Sequence, residues 1–556
     1  MNLRKTLMAA SAGLFAVMNI MPAGAATTGA KAPANISLVI PQVDALKTAT
    51  PIKHVVIIYD ENVSFDHYFA TYPYATNPAG EPRFKALSGT TVPNDLVSAN
   101  LIHNNPNLTN TANGANAAGP FRLDRTQAAT ADQNHGYTAE QEAYDGGRAD
   151  LFPEYTGSGT AGGAGAFGTK GQVMGYYDGN TVTALWTYAQ HFAMDDNTFT
   201  DTYGPSTPGA LEAVSGNTDG MQIVASSKSS YYVNNTVNGQ IDHTMMSDVD
   251  PGYDMCSSTT DSAMMSGPNI GDLLNAAKIS WGGFMGGFNL GLTNANGTTG
   301  CKRSTNSTTV GEVVADYVPH HNWFQYFAST ANPTHARPKA PIDIGYTYSP
   351  AGAVDPANHE YDLWDFYNAV TAGDFPAVSY IKMPAYQDAH AGYSDPLDEQ
   401  AGVVQLVNFI EQQPEWKDTA IIITYDDSDG WYDHDFATPT NPSFDATADQ
   451  LYGAGKCGTG TPADGIGGQP VNGRCGPGTR IPFLVISPWA RANYVDSQRL
   501  TQASVVRFIE DNWLGGHRLG YGSFDSTAGS MMGMFDFSGS GNNAAIILNK
   551  GTGLPN

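Results

Sequence analysis

Positive charge is scarce in this chain: 27 Lys and Arg residues stand against 53 Asp and Glu residues, for a formal net charge of −26 at pH 7. A surface of that sign repels nucleic acid and anionic membranes at long range, so we expect no nucleic-acid partner. An anionic substrate would need a local counter-charge from a metal ion or from histidines. We therefore expect positive charge to be concentrated at any site that binds an anion.

Long apolar runs are also scarce. One lies near the N-terminus, where Arg4 and Lys5 precede a mostly apolar stretch over 7–21 and small residues at 23–25 offer a cleavage site. This pattern predicts a signal peptide over residues 1–25, with a membrane anchor as the alternative. Its removal would take away two positive charges and no acids, changing the net charge from −26 to −28. We expect an exported protein, periplasmic or secreted, without stable membrane insertion.

Cysteine is rare, with four residues in the whole chain. In an exported protein, four cysteines predict two disulfide bonds, and three pairings are open. Local pairing closes the shortest loops and is favoured, which joins Cys256 to Cys301 and Cys457 to Cys475.

Apolar residues are sufficient for a sizeable core, at 41% of the chain, while 61 Gly and 33 Pro indicate a loop-rich enzyme. We predict one catalytic domain over residues 26–556. Polar insertions are predicted near 87–131 and near 226–310, the second of them as a cap over the domain.

Continuous apolar segments at 55–59, 420–425 and 480–487 predict buried strands, and the spacing of apolar residues over 399–410 predicts a helix. Such strands alternating with helices indicate an α/β fold whose sheet is covered on both faces. Ligands of these sheets bind beyond the carboxyl ends of the strands.

Acids follow two of these strands directly. The first strand is followed by Asp60, Glu61 and Asn62, and the second by Asp426 and Asp427. Acids this dense repel one another unless a cation lies between them, and oxygen ligands of this kind suit a divalent ion. The alternative for either segment alone is a solvated acidic turn.

A serine follows a tight turn between these two segments. Gly204-Pro205-Ser206 precedes a helical stretch that starts near Ala210, so Ser206 is predicted close to free amide donors and the positive end of a helix dipole. Taken alone, Ser206 or Thr207 is an N-cap residue. Beside a metal ion, Ser206 can instead attack phosphorus.

Four histidines lie in polar or glycine-containing segments. A single histidine is usually structural, but several in an acidic protein can bind phosphoryl oxygens and protonate a leaving group at mildly acidic pH. The four residues are His135, His320, His321 and His390.

The segment Glu61-Asn62-Val63-Ser64-Phe65-Asp66-His67-Tyr68-Phe69 resembles a motif of the bacterial phosphoesterase family, which contains phosphatidylcholine phospholipases C and the secreted acid phosphatase AcpA. The resemblance extends over residues 204–206, 319–321, 386–393 and 425–427, and so covers the chain from about 52 to 490. It implies an alkaline-phosphatase-like core, with a mixed, mainly parallel sheet between helices.

The resemblance also implies the roles of the site residues. One divalent metal ion, of unknown identity, would be held by five residues: Glu61, Asn62, Ser206, Asp426 and Asp427. Ser206 would also be the nucleophile. The four histidines would bind phosphate and transfer protons, with His135 or His390 as the acid for the leaving group.

Three positions favour the acid phosphatase branch. The phospholipase branch usually has Arg at the position of Val63, Thr at Ser206 and Asp-Glu at Asp426-Asp427. We therefore expect hydrolysis of small phosphate monoesters through a phosphoserine, with an acidic optimum. Asp433 and His434 match both branches. We predict that they contact the residues of the site without binding the metal ion or the substrate themselves.

Three alternative functions are considered, of which two stay open and one is disfavoured. The first is a phospholipase C that cleaves phosphodiesters such as phosphatidylcholine. A sulfatase is disfavoured because the segment from Ser206 to Ala210 lacks the arginine of the sulfatase maturation motif. A third alternative, from a different class, is a non-catalytic exported protein whose acids bind a metal only for structure.

Overall fold

An eight-stranded sheet forms the core of the fold in the described part of the chain. The computed structural model describes residues 47–225, 228–348, 352–539, 541 and 545–556, so the predicted signal peptide over 1–25 lies outside the described residues. The strands of the sheet are β1 (His54–Asp60), β2 (Ala193–Asp195), β3 (Trp281–Met285), β4 (Glu360–Asp362), β5 (Val378–Lys382), β6 (Thr419–Tyr425), β7 (Phe483–Ile486) and β8 (Tyr494–Asp496).

The strand order is β4-β3-β5-β1-β6-β7-β2-β8, and within this sheet β7 runs antiparallel to both of its neighbours. The other pairings are parallel. The α/β fold with a mixed, mainly parallel sheet is therefore confirmed.

The central strands are apolar because both of their faces are covered. In β1, Val56 and Ile58 pack into one apolar cluster, while Val55 and Ile57 pack into a second cluster on the opposite face. Successive side chains of a strand point to opposite faces, so a strand between two helical layers needs a continuous apolar run.

Ten α-helices are found among the described residues: α1 (Phe65–Phe69), α2 (Pro106–Thr109), α3 (Tyr137–Tyr144), α4 (Phe152–Tyr155), α5 (Thr183–His191), α6 (Ser206–Ser215), α7 (Ile270–Ala277), α8 (Leu363–Thr371), α9 (Pro396–Glu411) and α10 (Ala503–Trp513). Helices α5, α8 and α9 pack on one face of the sheet, and α6, α7 and α10 on the other. The helix predicted over 399–410 lies within α9. Across the described ranges, every helix is too short or too polar to cross a bilayer.

The prediction of a polar cap over 226–310 is wrong for residues 270–285. The first half does lie outside the central sheet, as a hairpin of Tyr232–Val237 with Gln240–Met245 and a small three-stranded sheet. Helix α7 and strand β3, however, belong to the core. The strand escaped prediction because it contains Gly282 and Gly283, which weaken a strand pattern. A Cβ atom on Gly282 would lie 2.8 Å from the ring of Phe284, so glycine is required there.

The two favoured disulfide pairings are both present. Cys256 is bonded to Cys301, 45 residues away, and Cys457 is bonded to Cys475, 18 residues away. The Cys457–Cys475 bond closes a loop outside the central sheet, whereas the segment between Cys256 and Cys301 includes α7 and β3.

Three adjacent parallel strands, β5, β1 and β6, end at the same edge of the sheet. Asp60, the last residue of β1, is paired with Tyr425, the last residue of β6. On the other side of β1, Ile58 is paired with Ile381, one residue before the end of β5 at Lys382. The residues that end or follow these strands are therefore neighbours in space.

Candidate active site

The Ser206 side chain lies among three oxygen acceptors. Its Oγ is 2.8 Å from Glu61 Oε2, 3.2 Å from Asp427 Oδ2 and 3.3 Å from Asn62 Oδ1, and the residue is 1% exposed. A hydroxyl has one proton and can donate to only one of these oxygens. The remaining oxygens converge without donors, which is the arrangement expected of ligands to a cation.

Asp426 belongs to the same group. Carboxylate oxygens of Glu61, Asp426 and Asp427 lie within 4.8 Å of one another. Asp426 Oδ1 accepts hydrogen bonds from the backbone amides of Asn62 at 3.2 Å and of Asp427 at 2.9 Å. The carboxylate of Asp426 therefore also fixes the ends of β1 and β6 relative to each other.

The carboxyl groups of Glu61, Asp426 and Asp427 place negative charges close together in a buried site. Burial raises the pKa of Asp426 to about 7 and raises the pKa of Asp427 well above its usual value, with neighbouring carboxylates contributing in the same direction. Both acids thus retain protons at pH values where ordinary aspartates are ionised. A divalent cation would remove this penalty, so the residues present fit a metal ion.

The Asn62 amide has two orientations that fit its surroundings. In one, Oδ1 points toward the acids; in the other, the amide nitrogen donates to Glu61 Oε2 at 2.6 Å and the oxygen accepts from His390 Nε2 at 3.0 Å. The first presents an oxygen to a cation, and the second replaces the cation by amide protons. Asn62 adopts φ of +50°, a conformation that asparagine tolerates better than most residues.

The start of α6 brings Ser206 to this edge. Pro205 is the N-cap residue and makes no side-chain capping bond, so Ser206 is the first helical residue. The alternative that Ser206 or Thr207 only caps the helix is therefore wrong. A Cβ atom on Gly209 would lie 2.1 Å from the carbonyl oxygen of Asp426, so only glycine permits this approach of helix and strand end.

Lys382 is a site residue that sequence reasoning missed. It ends β5, is fully buried, and its Nζ contacts Glu61 Oε1 and lies 2.9 Å from Asp426 Oδ2. Burial would lower the pKa of Lys382, but Asp426 and Glu61 raise it, so the group is a permanent cation. Lys382 also lowers the pKa of Glu61 against the opposing effect of burial. The usable signal was an apolar strand that ends in a charged residue, as in β1, or is followed directly by one, as in β6.

The acids around His135 favour its protonated form. Its Nδ1 is 2.9 Å from the carbonyl oxygen of Gln133 and 3.1 Å from Asp429 Oδ1, so Nδ1 carries a proton, and Nε2 lies 3.5 Å from the Asn62 amide. Burial lowers the pKa of His135, but Asp427 and the hydrogen-bonded Asp429 raise it well above its usual value.

His390 lies beside His135, with ring centroids 5.9 Å apart. Its Nδ1 is 2.5 Å from the carbonyl oxygen of Ala391, and burial lowers its pKa. The amide of Glu61 donates to the carbonyl of Asp388 at 2.7 Å, which joins the His390 loop to the end of β1. His390 thus lies beside Asn62, with Nδ1 facing the Ala391 carbonyl and Nε2 facing the Asn62 amide.

His320 and His321 have opposite electrostatic environments. Burial lowers the pKa of His320, but Asp250 at 3.4 Å and Asp248 raise it above its usual value. Burial and the neighbouring His320 lower the pKa of His321 well below its usual value, and its Nδ1 lies 3.0 Å from Glu61 Oε1. Of the four histidines, the surroundings raise the pKa of His135 and His320 and lower that of His321 and His390.

The peripheral segment that precedes α7 reaches the site. Asp248 Oδ1 accepts a hydrogen bond from the amide of Thr207 at 3.0 Å, and Asp250 contacts His320. Asp433 and His434, by contrast, contact Arg480 and Asp66 instead of the Ser206 group. They anchor α1, which begins just after the Glu61-Asn62 segment.

The fold and the site together define an α/β protein with a buried cluster of acids and a serine at the carboxyl edge of its sheet. A model of the phosphoesterase family matches residues 52–514, and the chain belongs to that family. This confirms the family suggested by the sequence motifs.

Several relatives are named as phospholipases C. The non-hemolytic phospholipase C of Pseudomonas aeruginosa is 32% identical over 152 residues, which cover 26% of this chain and 21% of that protein. Phospholipase C A of Mycobacterium tuberculosis is 23% identical over 477 residues, which cover 83% of this chain and 72% of that protein. The chain thus spans about a fifth of the first relatives that it matches, at 21% and 19% of their lengths.

Among solved structures, the phosphonate monoester hydrolase of Silicibacter pomeroyi is similar at 10% identity with a TM-score of 0.25, over 60% of this chain and 69% of that one. The names of these relatives are those of phosphoric ester hydrolases.

Proposed function

We propose that this protein is a secreted, metal-dependent acid phosphatase that hydrolyses small phosphate monoesters through a phosphoserine. The observation that supports this most is the Ser206 hydroxyl, which lies within 3.3 Å of Glu61, Asn62 and Asp427. A buried serine among acids has no evident structural use, whereas a nucleophile beside a cation needs this environment.

One divalent ion would be held by five residues: Glu61, Asn62, Ser206, Asp426 and Asp427. When bound, it would lower the pKa of the serine hydroxyl and neutralise charge on the phosphoryl group. The metal ion and the cationic His135 and His320 together supply the local positive charge that a chain of net charge −26 otherwise lacks.

The first chemical step uses Ser206 and His135. The Ser206 hydroxyl first releases its proton to solvent. Its Oγ then forms a bond to phosphorus while the bond from phosphorus to the leaving oxygen breaks, and His135 gives its proton to that oxygen. His135 is preferred over His390 as the acid because its environment keeps it protonated, whereas the pKa of His390 is lowered. His320, His321 and His390 then bind the phosphoryl oxygens.

The second step regenerates the serine. Water attacks the phosphoserine, gives a proton to the now neutral His135, and the bond from Ser206 Oγ to phosphorus breaks to release phosphate. Activity is expected to fall as the pH rises through the raised pKa of His135, because His135 must begin each cycle protonated.

The second candidate function is that of a phospholipase C. Phospholipases C A and B of Mycobacterium tuberculosis each align with 83% of this chain. The Ser206 group can act on a phosphodiester by the same chemistry, so the two functions differ in the leaving group and in the substituent on phosphorus. A non-catalytic metal-binding protein predicts the same acids but no turnover.

A substrate panel separates these functions. The enzyme is given a phosphate monoester, a diester, a choline phospholipid and a sulfate ester, each with and without chelator. We expect the monoester to be hydrolysed fastest, only without chelator, and Ser206→Ala to abolish turnover. Ser215→Ala is the matched control, since Ser215 is a buried serine of the same helix that bonds to the carbonyl of Leu211. Faster hydrolysis of the phospholipid would establish the second function instead.

Export is part of the proposal and rests on the N-terminal sequence over residues 1–25. N-terminal sequencing of the protein recovered from outside the cytoplasm should find a chain that starts after Ala25. Recovery of an uncleaved, membrane-bound chain would contradict it.

A further inference from the structure

The carboxylate of Glu61 faces two different positive environments. Its Oε2 lies 2.8 Å from Ser206 Oγ, on the side of the proposed metal ion. Its Oε1 faces the other way, toward Lys382 Nζ and toward His321 Nδ1 at 3.0 Å. Glu61 therefore directs one oxygen toward the Ser206 group, where the ion would be held, and the other toward the Lys382 ammonium.

The position of the Lys382 ammonium has the acidic surroundings of a metal site. Glu61, His321 and Asp388 present ligand atoms within 4.8 Å of one another, and Asp426 Oδ2 lies 2.9 Å from Lys382 Nζ. All of these side chains are buried. In hydrolases with two metal ions, a shared carboxylate commonly joins such neighbouring positions, and the ions lie about 3.5–4 Å apart.

We propose that the Lys382 ammonium takes the place of a second metal ion, so that the site binds a single divalent ion. This inference rests on the metal site of the proposed function. Lys382 is a positioning residue: it directs the two oxygens of Glu61 to different partners and holds Asp426 at the end of β6.

A lysine suits this position for two physical reasons. Its ammonium is a compact charge with three donors, and here it contacts two carboxylates at once. It is also covalently fixed at the end of β5, so the position is filled at every metal concentration. A mobile ion would instead leave Glu61 and Asp426 to repel each other whenever it dissociated.

The test is the number of divalent ions bound per chain. The full-length protein is stripped of metal and titrated with Mn²⁺, and the bound metal is measured by calorimetry and elemental analysis. We expect one ion in the wild type and one in Lys382→Arg, which keeps the charge. Lys382→Ala should bind two ions, the second more weakly, because the vacated position is lined by Glu61, Asp388, Asp426 and His321. The exposed Lys85 provides the control Lys85→Ala, which should bind one.

A small amine tests the same idea in Lys382→Ala. Ethylammonium should compete for the vacated position and return the stoichiometry from two ions to one. The inference is overturned if the wild type binds two ions, a result that does not depend on whether the variant folds, or if folded Lys382→Ala binds one. A wild type that binds no ion would instead contradict the proposed function itself.

Discussion

Gly209 and Asp426 touch: a Cβ atom on Gly209 would lie 2.1 Å from the carbonyl oxygen of Asp426. This contact sets the distance between the start of α6, which carries Ser206, and the end of β6, which carries the acids. We predict that Gly209→Ala pushes α6 away and lowers kcat/KM on the order of 100-fold, the cost of a misplaced nucleophile.

The measurement is the steady-state rate of monoester hydrolysis by the folded variant. Gly119→Ala is the control, because a Cβ atom there would meet Leu108 at an ordinary distance of 3.8 Å. Wild-type activity in Gly209→Ala would show that the position of Ser206 does not depend on this contact.

His135 should set the alkaline limb of the pH profile. Asp427 and Asp429 raise its pKa against the effect of burial, and the protonated form is the proposed acid. Activity is therefore lost as the pH rises through the pKa of His135. Asp429→Asn removes one of these charges, so we predict that the limb of kcat/KM moves to lower pH by about one unit.

Asp132→Asn is the matched control. Asp132 Oδ1 lies 3.6 Å from His135 Nδ1, but its side chain is 56% exposed, whereas that of Asp429 is buried. Solvent screening should make the shift in Asp132→Asn smaller than that in Asp429→Asn. An alkaline limb that does not move in Asp429→Asn would exclude His135 as the group that it reports.

Buried Glu399 should destabilise the protein at neutral pH. It accepts hydrogen bonds from Tyr68 at 2.8 Å and Tyr425 at 2.5 Å, and burial raises its pKa from 4.5 to about 7. The folded state retains a proton that the unfolded state releases, so stability falls as the pH rises from about 4.5 to about 7. The full loss is about 3 kcal/mol.

Glu399→Gln removes this ionisation. Its free energy of unfolding, measured by denaturant titration between pH 4.5 and 7.5, should rise relative to the wild type as the pH increases. Glu154→Gln, at an exposed position, is the control. A difference between Glu399→Gln and the wild type that is independent of pH would contradict the raised pKa.

Other buried acids should act in the same direction. Burial raises the pKa of Asp201 to about 6 and brings three further carboxyl groups to about 7, those of Glu140, Asp374 and Asp395. Several groups of this kind favour the folded state in mild acid. This agrees with the acidic optimum of the proposed function.

The parts of the fold that the sequence predicted are those with a strong local pattern. Strands β1 and β6 consist of continuous apolar and β-branched residues, and their following acids mark the edge of the sheet. Strand β3 could not be found in this way, because Gly282 and Gly283 leave space for neighbouring aromatic rings and so remove the local signal.

The site also contains residues that the sequence motifs predicted and residues that only the fold brings into place. The grouping of Glu61, Asn62, Ser206 and Asp427 followed from motifs, although their separations along the chain reach 366 residues, from Glu61 to Asp427. Lys382 was not predicted as a member of the site, because β5 is short and contains the polar Ser379. The residues beside Lys382 also depend on the order of the strands in the sheet, which the local sequence pattern does not give. The charge states of the histidines also depend on packing: only the fold shows that Asp429 lies beside His135.

Chemical trapping of the enzyme during turnover tests the central claim most directly. The wild type is mixed with a phosphate monoester at acidic pH and quenched in acid, and its peptides are analysed by mass spectrometry. We predict phosphate on the peptide that contains Ser206, and none on that peptide in Ser206→Ala. Turnover at the wild-type rate by Ser206→Ala, or phosphate found on a histidine instead, would contradict the account.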